Sequence, residues 1–482
     1  MNIAEKFHQF ESTFDLNKFT VDGLWYYPLV KMAIYFELAG RKGKAVGVND
    51  RRGSGAGEIL RQFIRGIKWK MKSRPLRSVK YLFVDYASTR RQTENGRFEN
   101  MYIGPIMNAF GREEQLLVEY PALDFGHHAG IEKDDVYFPD WDIFQIFLKA
   151  KIKKKKWISD DTHLKVLYEH FGLFFDARFI NDRLNKTFLF IKLFKRFLEK
   201  VRPQIVLLID GYDYKQMALI YAAKALRIPT VELQHGLINA SHMAYIYAQV
   251  ADRRLFADYL FTFGEYFSGL IKRHSVAWES NHVLPVGFPY IEAVKKRPLK
   301  LPERLRELAR RFKIIYVTSQ WTVCDKLRTF ILQLSEKLDD EYMIFYKIHP
   351  GEKNAQKFYD SFKPLKNVEL ILDKTVNSME IMKVAAIHST VYSTSYFESV
   401  FFELPNIFIE APKYTKNIEN FVDDETTFLA KEVNDYLARL TKINNDFSLS
   451  KKLKKKRMTF YKPKALLIVE TALKDILGSA KT

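Results

Sequence analysis

The sequence holds one cysteine, Cys324, among its 482 residues. A single thiol can form no intrachain disulfide, four-cysteine zinc site or CxxC redox pair, so the chain is not built for an oxidising compartment. Long hydrophobic runs are missing too. Crossing a bilayer takes about 20 nearly uncharged residues, and apolar runs such as Ile205–Ile209 and Val384–Ile387 stop far short of that. The first residues, MNIAEKFHQFESTFDLNKF, show no basic start followed by an apolar core. No signal peptide is expected there, and the expected address is cytoplasmic. Neither GxxxxGKS nor GxxxxGKT occurs, so an ATPase of the P-loop type is not expected, and there is no HExxH. Gly53, Gly55 and Gly57 mimic a dinucleotide loop but follow no strand, and read as a flexible turn.

What the chain has in excess is positive charge: 77 Lys and Arg against 57 Asp and Glu give +20. With 47% hydrophobic and 15% aromatic residues it is globular, with length for two or three domains. The cations cluster. Residues 61–80 (RQFIRGIKWKMKSRPLRSVK) carry eight Lys or Arg and no acid, 149–157 read KAKIKKKKW, and 451–457 read KKLKKKR. Such runs mark an anionic partner or solvated helix faces. Because the first two interleave Ile and Trp with Lys, they suit an anchor on the acidic inner face of a membrane. No helix-turn-helix spacing, zinc-finger ligands or RNP-type aromatic strand accompanies them, so nucleic acid is not an expected partner.

From Lys80 onward, short apolar runs alternate with helical stretches. KYLFVDY (80–86), QLLVEYP (115–121), QIVLLID (204–210), TVELQ (230–234), YLFTFG (259–264) and HVLPVG (282–287) read as buried strands. Residues 214–227 lie between two of them at helical spacing, which makes a βαβ unit and predicts a parallel sheet. Prolines and charge interrupt the rhythm at 291–312. It resumes with KIIYVTS (313–319), YMIFYKIHP (342–350), VELILD (368–373), AAIHSTVYS (385–393) and NIFIE (406–410). The expectation is an α/β chain of two doubly wound, Rossmann-like domains facing one another across a cleft. A helical extension covers 1–78, the first domain 79–290, a linker about 288–310, the second domain 311–460, and a closing helix 461–482.

In open α/β sheets ligands bind beyond the carboxyl ends of the strands, and polar residues collect at four such ends. Asp210-Gly211-Tyr212-Asp213 closes QIVLLID; Asp210 or Asp213 can serve as a cleft carboxylate or as a helix cap. Gln234-His235-Gly236 closes the next strand, with Ser241 and His242 close behind. Lys347-Ile348-His349-Pro350 ends a strand of the second half, where an imidazole and an ammonium could meet a phosphate; Thr318 and Ser319 end its neighbour. Ser393, Thr394 and Ser395 stand at a helix start that offers hydroxyls and backbone N–H groups to an anion. Ser395-Tyr-Phe-Glu398 also fits a capping box. Asp140-Trp-Asp142 has the DxD form of metal-dependent sugar transferases but reads as a helix start, and no metal is expected.

These motifs, QHG, then KxHP, then STVYSTSYFE, each at a strand end and in that order, resemble the GT-B bacterial polysaccharide transferases. That group includes capsule sialyltransferases and Kdo transferases with His-Pro and Ser motifs. It also includes the CDP-glycerol glycerophosphotransferases of teichoic acid synthesis, with His-Gly and His-Pro motifs. The stretch GLWYYPLVKMAIY followed by VKYLFVDYAS is similar to capsule-locus proteins. The resemblance implies that His349 contacts the donor phosphate, that Ser393, Thr394 and Ser395 hold the same phosphate or its nucleoside, and that Glu398 sits near ribose or base. It gives two candidates for the base, His235 by the glycerophosphotransferases and Asp210 by the sialyl- and Kdo-transferases. Lys347, Pro350, Thr318 and Ser319 fall on the donor side, and Asp213, Gln234, Gly236, Ser241 and His242 on the acceptor side. The implied activity is metal-independent transfer from a CMP- or other nucleotide-linked sugar to a glycan or lipid-linked acceptor. It would take place at the inner face of the cell membrane, in capsule or surface polysaccharide synthesis, with no further cofactor. A UDP-sugar 2-epimerase and a non-catalytic scaffold of a polysaccharide assembly complex remain the alternatives.

Overall fold

The computed structural model describes residues 3–38, 56–92, 98–121, 127, 136–152, 154–158, 162–173, 177–349, 352, 360–372, 376–415 and 418–479. Gly53 and Gly55 of the glycine-rich turn and Pro350 of the Lys-x-His-Pro motif lie outside these residues. The chain divides into two compact units, 1–287 with 464–482, and 288–463.

The first unit begins with helices α1 (Ile3–Thr13), α2 (Tyr27–Leu38) and α3 (Ala56–Lys72). Between α1 and α2 a short antiparallel hairpin pairs Thr20–Val21 with Leu24–Trp25. Asp22 and Gly23 at its tip both take positive φ, +47° and +72°, as a tight two-residue hairpin turn requires. The aromatic residues Phe7, Phe10, Phe19, Trp25, Tyr26 and Tyr27 are all buried there, which fixes this segment against the unit.

The sheet of the first unit has seven strands: β1 (Tyr81–Tyr86), β2 (Gln115–Tyr120), β3 (Val136–Tyr137), β4 (Ile205–Leu208), β5 (Thr230–Leu233), β6 (Tyr259–Thr262) and β7 (Val283–Pro285). They are parallel throughout, in the order β7-β6-β5-β4-β1-β2-β3. Strands buried on both faces need continuous apolar runs, and YLFV of β1 and IVLL of β4 supply them. Helices α4 (Asp140–Ile152), α5 (Ala177–Val201), α6 (Tyr214–Ala225) and α7 (Ala465–Ser479) belong to the same unit. Phe190, Phe194 and Leu198 of α5 and Ala218, Leu219 and Ala222 of α6 cover one face together. On the other face Val469, Leu473 and Ile476 of α7 pack with Trp69, Tyr81 and Ile103.

The second unit carries six parallel strands: β8 (Lys313–Thr318), β9 (Tyr342–Lys347), β10 (Val368–Ile371), β11 (Ala385–Thr390), β12 (Asn406–Ile409) and β13 (Thr427–Ala430). Their order is β10-β9-β8-β11-β12-β13. In each sheet the strand order reverses once, between β1 and β4 and between β8 and β11, and it is at such a switch point that ligands are received.

Three sequence readings change. The stretch read as a linker at 288–310 holds two helices, Pro289–Lys296 and Glu303–Arg311, and falls in the second unit. Pro289 fits the first helical turn, where its missing N–H costs nothing. The tryptophans of the first two basic runs turn inward. Trp69 is buried, and Trp157 stacks on Phe188 at 4.3 Å with its indole N–H donated to Asn185. Within the third run, Lys456 pairs with Asp423 at 2.7 Å and Arg457 with Glu403 at 2.6 Å, so part of that charge is structural.

Candidate functional site

Asp210 follows β4, and Glu232 and His235 lie in and just after β5, the neighbouring strand. The chain turns sharply after β4 because Asp210 takes φ +56°, a left-handed conformation that a non-glycine residue adopts at a cost of about 1–2 kcal/mol. That turn aims its carboxylate sideways, and Oδ1 lies 2.7 Å from His235 Nε2. Both side chains are partly buried, with 29% of Asp210 and 18% of His235 accessible, so the pair can be reached from solvent. The cap of α6 is Asp213, whose side chain accepts the Lys215 N–H at 2.8 Å. Asp210 is therefore not spent on capping.

Around the pair stands a ring of hydroxyls. Tyr212 Oη is 3.3 Å from His235 Nε2, and Tyr245 Oη is 3.4 Å from Nδ1. Tyr245 donates to Glu232 Oε1 at 2.7 Å, which also accepts the Gly211 N–H at 3.0 Å. Since the Tyr245 proton goes to Glu232, its oxygen accepts from Nδ1–H, while Asp210 accepts from Nε2–H. With Nε2–H on Asp210 and the Tyr245 oxygen free to accept from Nδ1–H, the surroundings favour the protonated form of His235.

Electrostatics agrees with that assignment. Burial opposes charge on His235, yet the Asp210 carboxylate beside it holds its pKa above the ordinary value. Burial likewise opposes ionisation of Asp210, but His235 and the hydroxyl of Tyr212 hold its carboxyl below the usual range. Glu232 behaves oppositely: burial pushes it up to about 7 against the bonds from Tyr245 and Gly211. His242 is pushed down to about 4 by burial and by neighbouring His235. Two carboxyls whose surroundings push their pKa values apart thus lie about one imidazole, an arrangement suited to acid–base work.

Other residues named from the sequence take varied places. Gln234 is buried, bridging the Gly236 carbonyl and the Phe263 N–H at 2.7 and 2.8 Å, so it straps the loop that presents His235. Gly236 and Ser241 are exposed, and Ser241 N–H is held by Asn239 at 2.9 Å. His242 meets Tyr245 edge to face at 4.9 Å, its Nδ1 buried without a hydrogen-bond partner.

In the second unit the switch point gathers Thr318, His388 and Ser395. His388 Nε2 lies 2.9 Å from Thr318 Oγ1 and 3.2 Å from Ser395 Oγ, and its Nδ1 lies 2.8 Å from Asn406 Oδ1. Burial pushes its pKa down to about 4. The capping box expected at Ser395–Glu398 does not form. Thr394 is the residue before the helix Ser395–Phe401, and the Ser395 hydroxyl turns to His388 while its N–H goes to Ser393 Oγ at 3.2 Å. Ser319 is buried and accepts from Tyr346 at 2.8 Å. The Lys347 ammonium donates to the Val376 carbonyl at 2.6 Å, and the His349 N–H to Glu352 at 2.9 Å. Ser393 and Glu398 are partly buried, and Thr394 is exposed. Asp140 and Asp142 open α4 as a helix start; Asp142 accepts from Tyr137 at 2.5 Å. Among the described residues no cluster of three or more His, Cys, Asp or Glu is arranged to hold a metal ion.

Four ionisable groups escaped the sequence reading as site residues: Asp85 of β1, Glu119 of β2, Glu232 of β5 and His388 of β11. Each is a lone ionisable residue in a buried strand, and that is the signal that could have found them. Asp85, pushed up to about 7 by burial, lies at the first switch point. Glu119 joins a buried network in which His127 is held between Glu119 at 2.8 Å and Asp140 at 2.7 Å, with Arg90 on the second Glu119 oxygen.

No protein-family profile matches the chain, and no curated protein does. Among solved structures it is similar to one from Listeria monocytogenes assigned to the UDP-N-acetylglucosamine 2-epimerases. The identity is 11% over 83% of this chain and 97% of that one, with a TM-score of 0.51. A second structure described as UDP-N-acetylglucosamine 2-epimerase matches at 14% identity over the same shares, 83% and 97%, with a TM-score of 0.50. MurG of Acinetobacter baumannii matches more loosely, at 10% identity over 82% and 99% with a TM-score of 0.44. At such identities the likeness establishes the fold, the two-sheet α/β architecture of the GT-B type.

Proposed function

We propose that this chain is a nucleotide-sugar enzyme of the GT-B type that transfers a glycosyl group to an acceptor hydroxyl, with Asp210 as base and His235 as its charged partner. The observation that carries the reading is the 2.7 Å Asp210–His235 pair, presented at the first switch point by a strained turn. A transferase needs a group that removes the acceptor proton as the new bond forms. In this reading His235 holds Oδ1 and so fixes the direction of the carboxylate, while its charge lowers the basicity of Asp210. Oδ2 takes the acceptor proton as the acceptor oxygen bonds to the anomeric carbon, and the bond from that carbon to the donor phosphate breaks, the nucleotide leaving as an anion. The donor nucleotide is assigned to the second unit, with His349, Lys347, Thr318 and the hydroxyls of Ser393, Thr394 and Ser395 as its polar contacts. Their collection at strand ends supports this, as do the nucleotide-sugar enzymes among the fold neighbours. The acceptor is a glycan or lipid-linked saccharide of a surface polysaccharide.

One observation favours a second reading. Glu232, a carboxyl raised to about 7 beside an ionised Asp210, supplies a second acid–base group that a one-base transfer does not require. An epimerase acting on a UDP-sugar would use two such groups on free nucleotide sugar.

The test begins with a thermal-shift screen against CMP, CDP, UDP and GDP, since a ligand that binds only the folded state raises its melting temperature. The sugar nucleotide of the stabilising nucleotide is then incubated in D2O with and without glycan acceptors. Transfer predicts nucleotide release that depends on acceptor. Deuterium in recovered nucleotide sugar without any acceptor establishes the epimerase instead. Under the transferase reading Asp210→Asn lowers turnover by about 10²–10⁴-fold at saturating donor. Asn tolerates the left-handed backbone, so folding is preserved. Retention of more than about a tenth of the rate would remove Asp210 as the base.

A further inference from the structure

Helix α3 has two unlike faces. One packs on α4: the Phe63 ring lies 5.7 Å from both Trp141 and Phe144, and a Cβ at Gly66 would come within 3.3 Å of Trp141 Cα, so the two helices approach closely. Trp69, on the same side, is buried in the core. The opposite face carries Leu60, Ile64, Ile67 and Met71, exposed by 57, 56, 38 and 72%. At 100° per residue these four fall within about 60° of arc, a single apolar stripe. Lys68 and Lys72 border it on one side and Lys70 on the other. On α4, Leu148 and Ile152 are exposed by 42 and 71%, and at 100° per residue they share the side of Trp141 and Phe144 that meets α3, with Lys149 and Lys151 beside them. With Phe63, which stays 38% exposed beside Trp141, seven of the fourteen large apolar side chains exposed among the described residues lie on these two adjacent helices. That concentration separates them from ordinary scattered exposure.

We propose that this face of α3 and α4 docks in the plane of an anionic lipid bilayer, with the stripe at the acyl boundary and the flanking lysines on headgroup phosphates. No helix of the described residues is long and apolar enough to cross a membrane, so the fit is to lying on the surface. The charge pattern selects lipid over a second copy of the chain. A two-fold contact through this stripe would bring its lysine borders against one another, like charge on like. A polyanion without an apolar phase would leave the stripe in water. The proposal is independent of the chemistry assigned to Asp210 and His235.

The experiment is co-sedimentation of the full chain with vesicles of phosphatidylcholine alone or mixed with phosphatidylglycerol. Binding is expected to the anionic vesicles. Ile64→Ser with Met71→Ser should raise the lipid concentration for half-binding by about tenfold or more. Lys68→Gln with Lys72→Gln should raise it by a similar factor that shrinks at high salt. Leu467→Ser, at an exposed apolar position on α7, should change nothing. Wild-type protein that fails to sediment with anionic vesicles overturns the proposal. So does a serine pair that leaves vesicle binding intact while light scattering shows a dimer becoming monomer, which would make the stripe a contact between copies.

Discussion

Gly211→Ala offers a direct test of how tightly the Asp210–His235 site is built. A Cβ added at this position would lie 2.2 Å from Glu232 Oε2 and 2.6 Å from its Cδ, well inside contact distance. Glu232 is 3% exposed and holds two hydrogen bonds, from Tyr245 Oη and from the Gly211 N–H itself. To admit the methyl the carboxyl must swing away. Losing those bonds in a buried place costs about 1–3 kcal/mol, and overpacking a similar amount. The alanine returns about 0.4–1 kcal/mol by restricting the unfolded chain. A net loss of roughly 2–4 kcal/mol follows. In a Glu232→Ala background the carboxyl is gone and the same methyl should cost less than about 0.5 kcal/mol, a coupling of about 1.5–4 kcal/mol. Urea unfolding followed by tryptophan emission reads this well. Trp25, Trp69, Trp141, Trp157 and Trp278 lie in the first unit and Trp321 in the second, so the signal is dominated by the unit that is changed. An equal cost of Gly211→Ala in both backgrounds would show that the methyl does not meet Glu232 and would refute the packing argument.

Three further outcomes follow from the geometry. The imidazole of His235 should titrate above its ordinary value by NMR, and Asp210→Asn should bring it down; an unchanged titration would dissolve the pair. The sign for stability is opposite in the two partners. The contribution of His235 is complete below the ordinary histidine value and lost as pH rises through the folded one, whereas that of Asp210 is lost as pH falls through its lowered value. His388, held down to about 4, binds fewer protons folded than unfolded. The second unit should therefore lose about 3 kcal/mol between pH 6.5 and 4, a slope that hydrogen exchange in β11 would show flattened in His388→Gln. His349→Ala should leave folding intact and weaken nucleotide affinity in the thermal-shift assay; wild-type affinity would move the phosphate site elsewhere.

Much of this architecture was legible because parallel strands buried on both faces must be written as apolar runs. Eleven runs of that kind read from the sequence became β1, β2, β4 to β7 and β8 to β12, each within a few residues of its observed ends. Of the strands in the two parallel sheets, those that escaped were β3, two residues long at the sheet edge, and β13, whose Thr-Phe-Leu-Ala pattern is too short and mixed to announce itself. Asp210 and His235 were legible as strand-end residues, but their contact was not. It depends on the neighbouring register of β4 and β5, where Leu208 pairs with Glu232, and on a backbone angle that no spacing reveals. Tyr245 reaches Glu232 from thirteen positions away, through a loop with no periodicity to read. Assigning Trp69 and Trp157 outward from the lysine runs failed because composition cannot tell which side of a helix or turn meets the core.

The placement of α7 bears on how the protein is made. Residues 464–482 complete the first unit, yet the ribosome delivers them only after the whole of 288–463 has emerged. Until then Trp69, Tyr81 and Ile103 lack the cover that Val469, Leu473 and Ile476 provide. The later-translated unit is thus free to mature before the earlier one can close. A nascent chain halted before Ala465 would carry an open apolar flank of the kind that recruits chaperones.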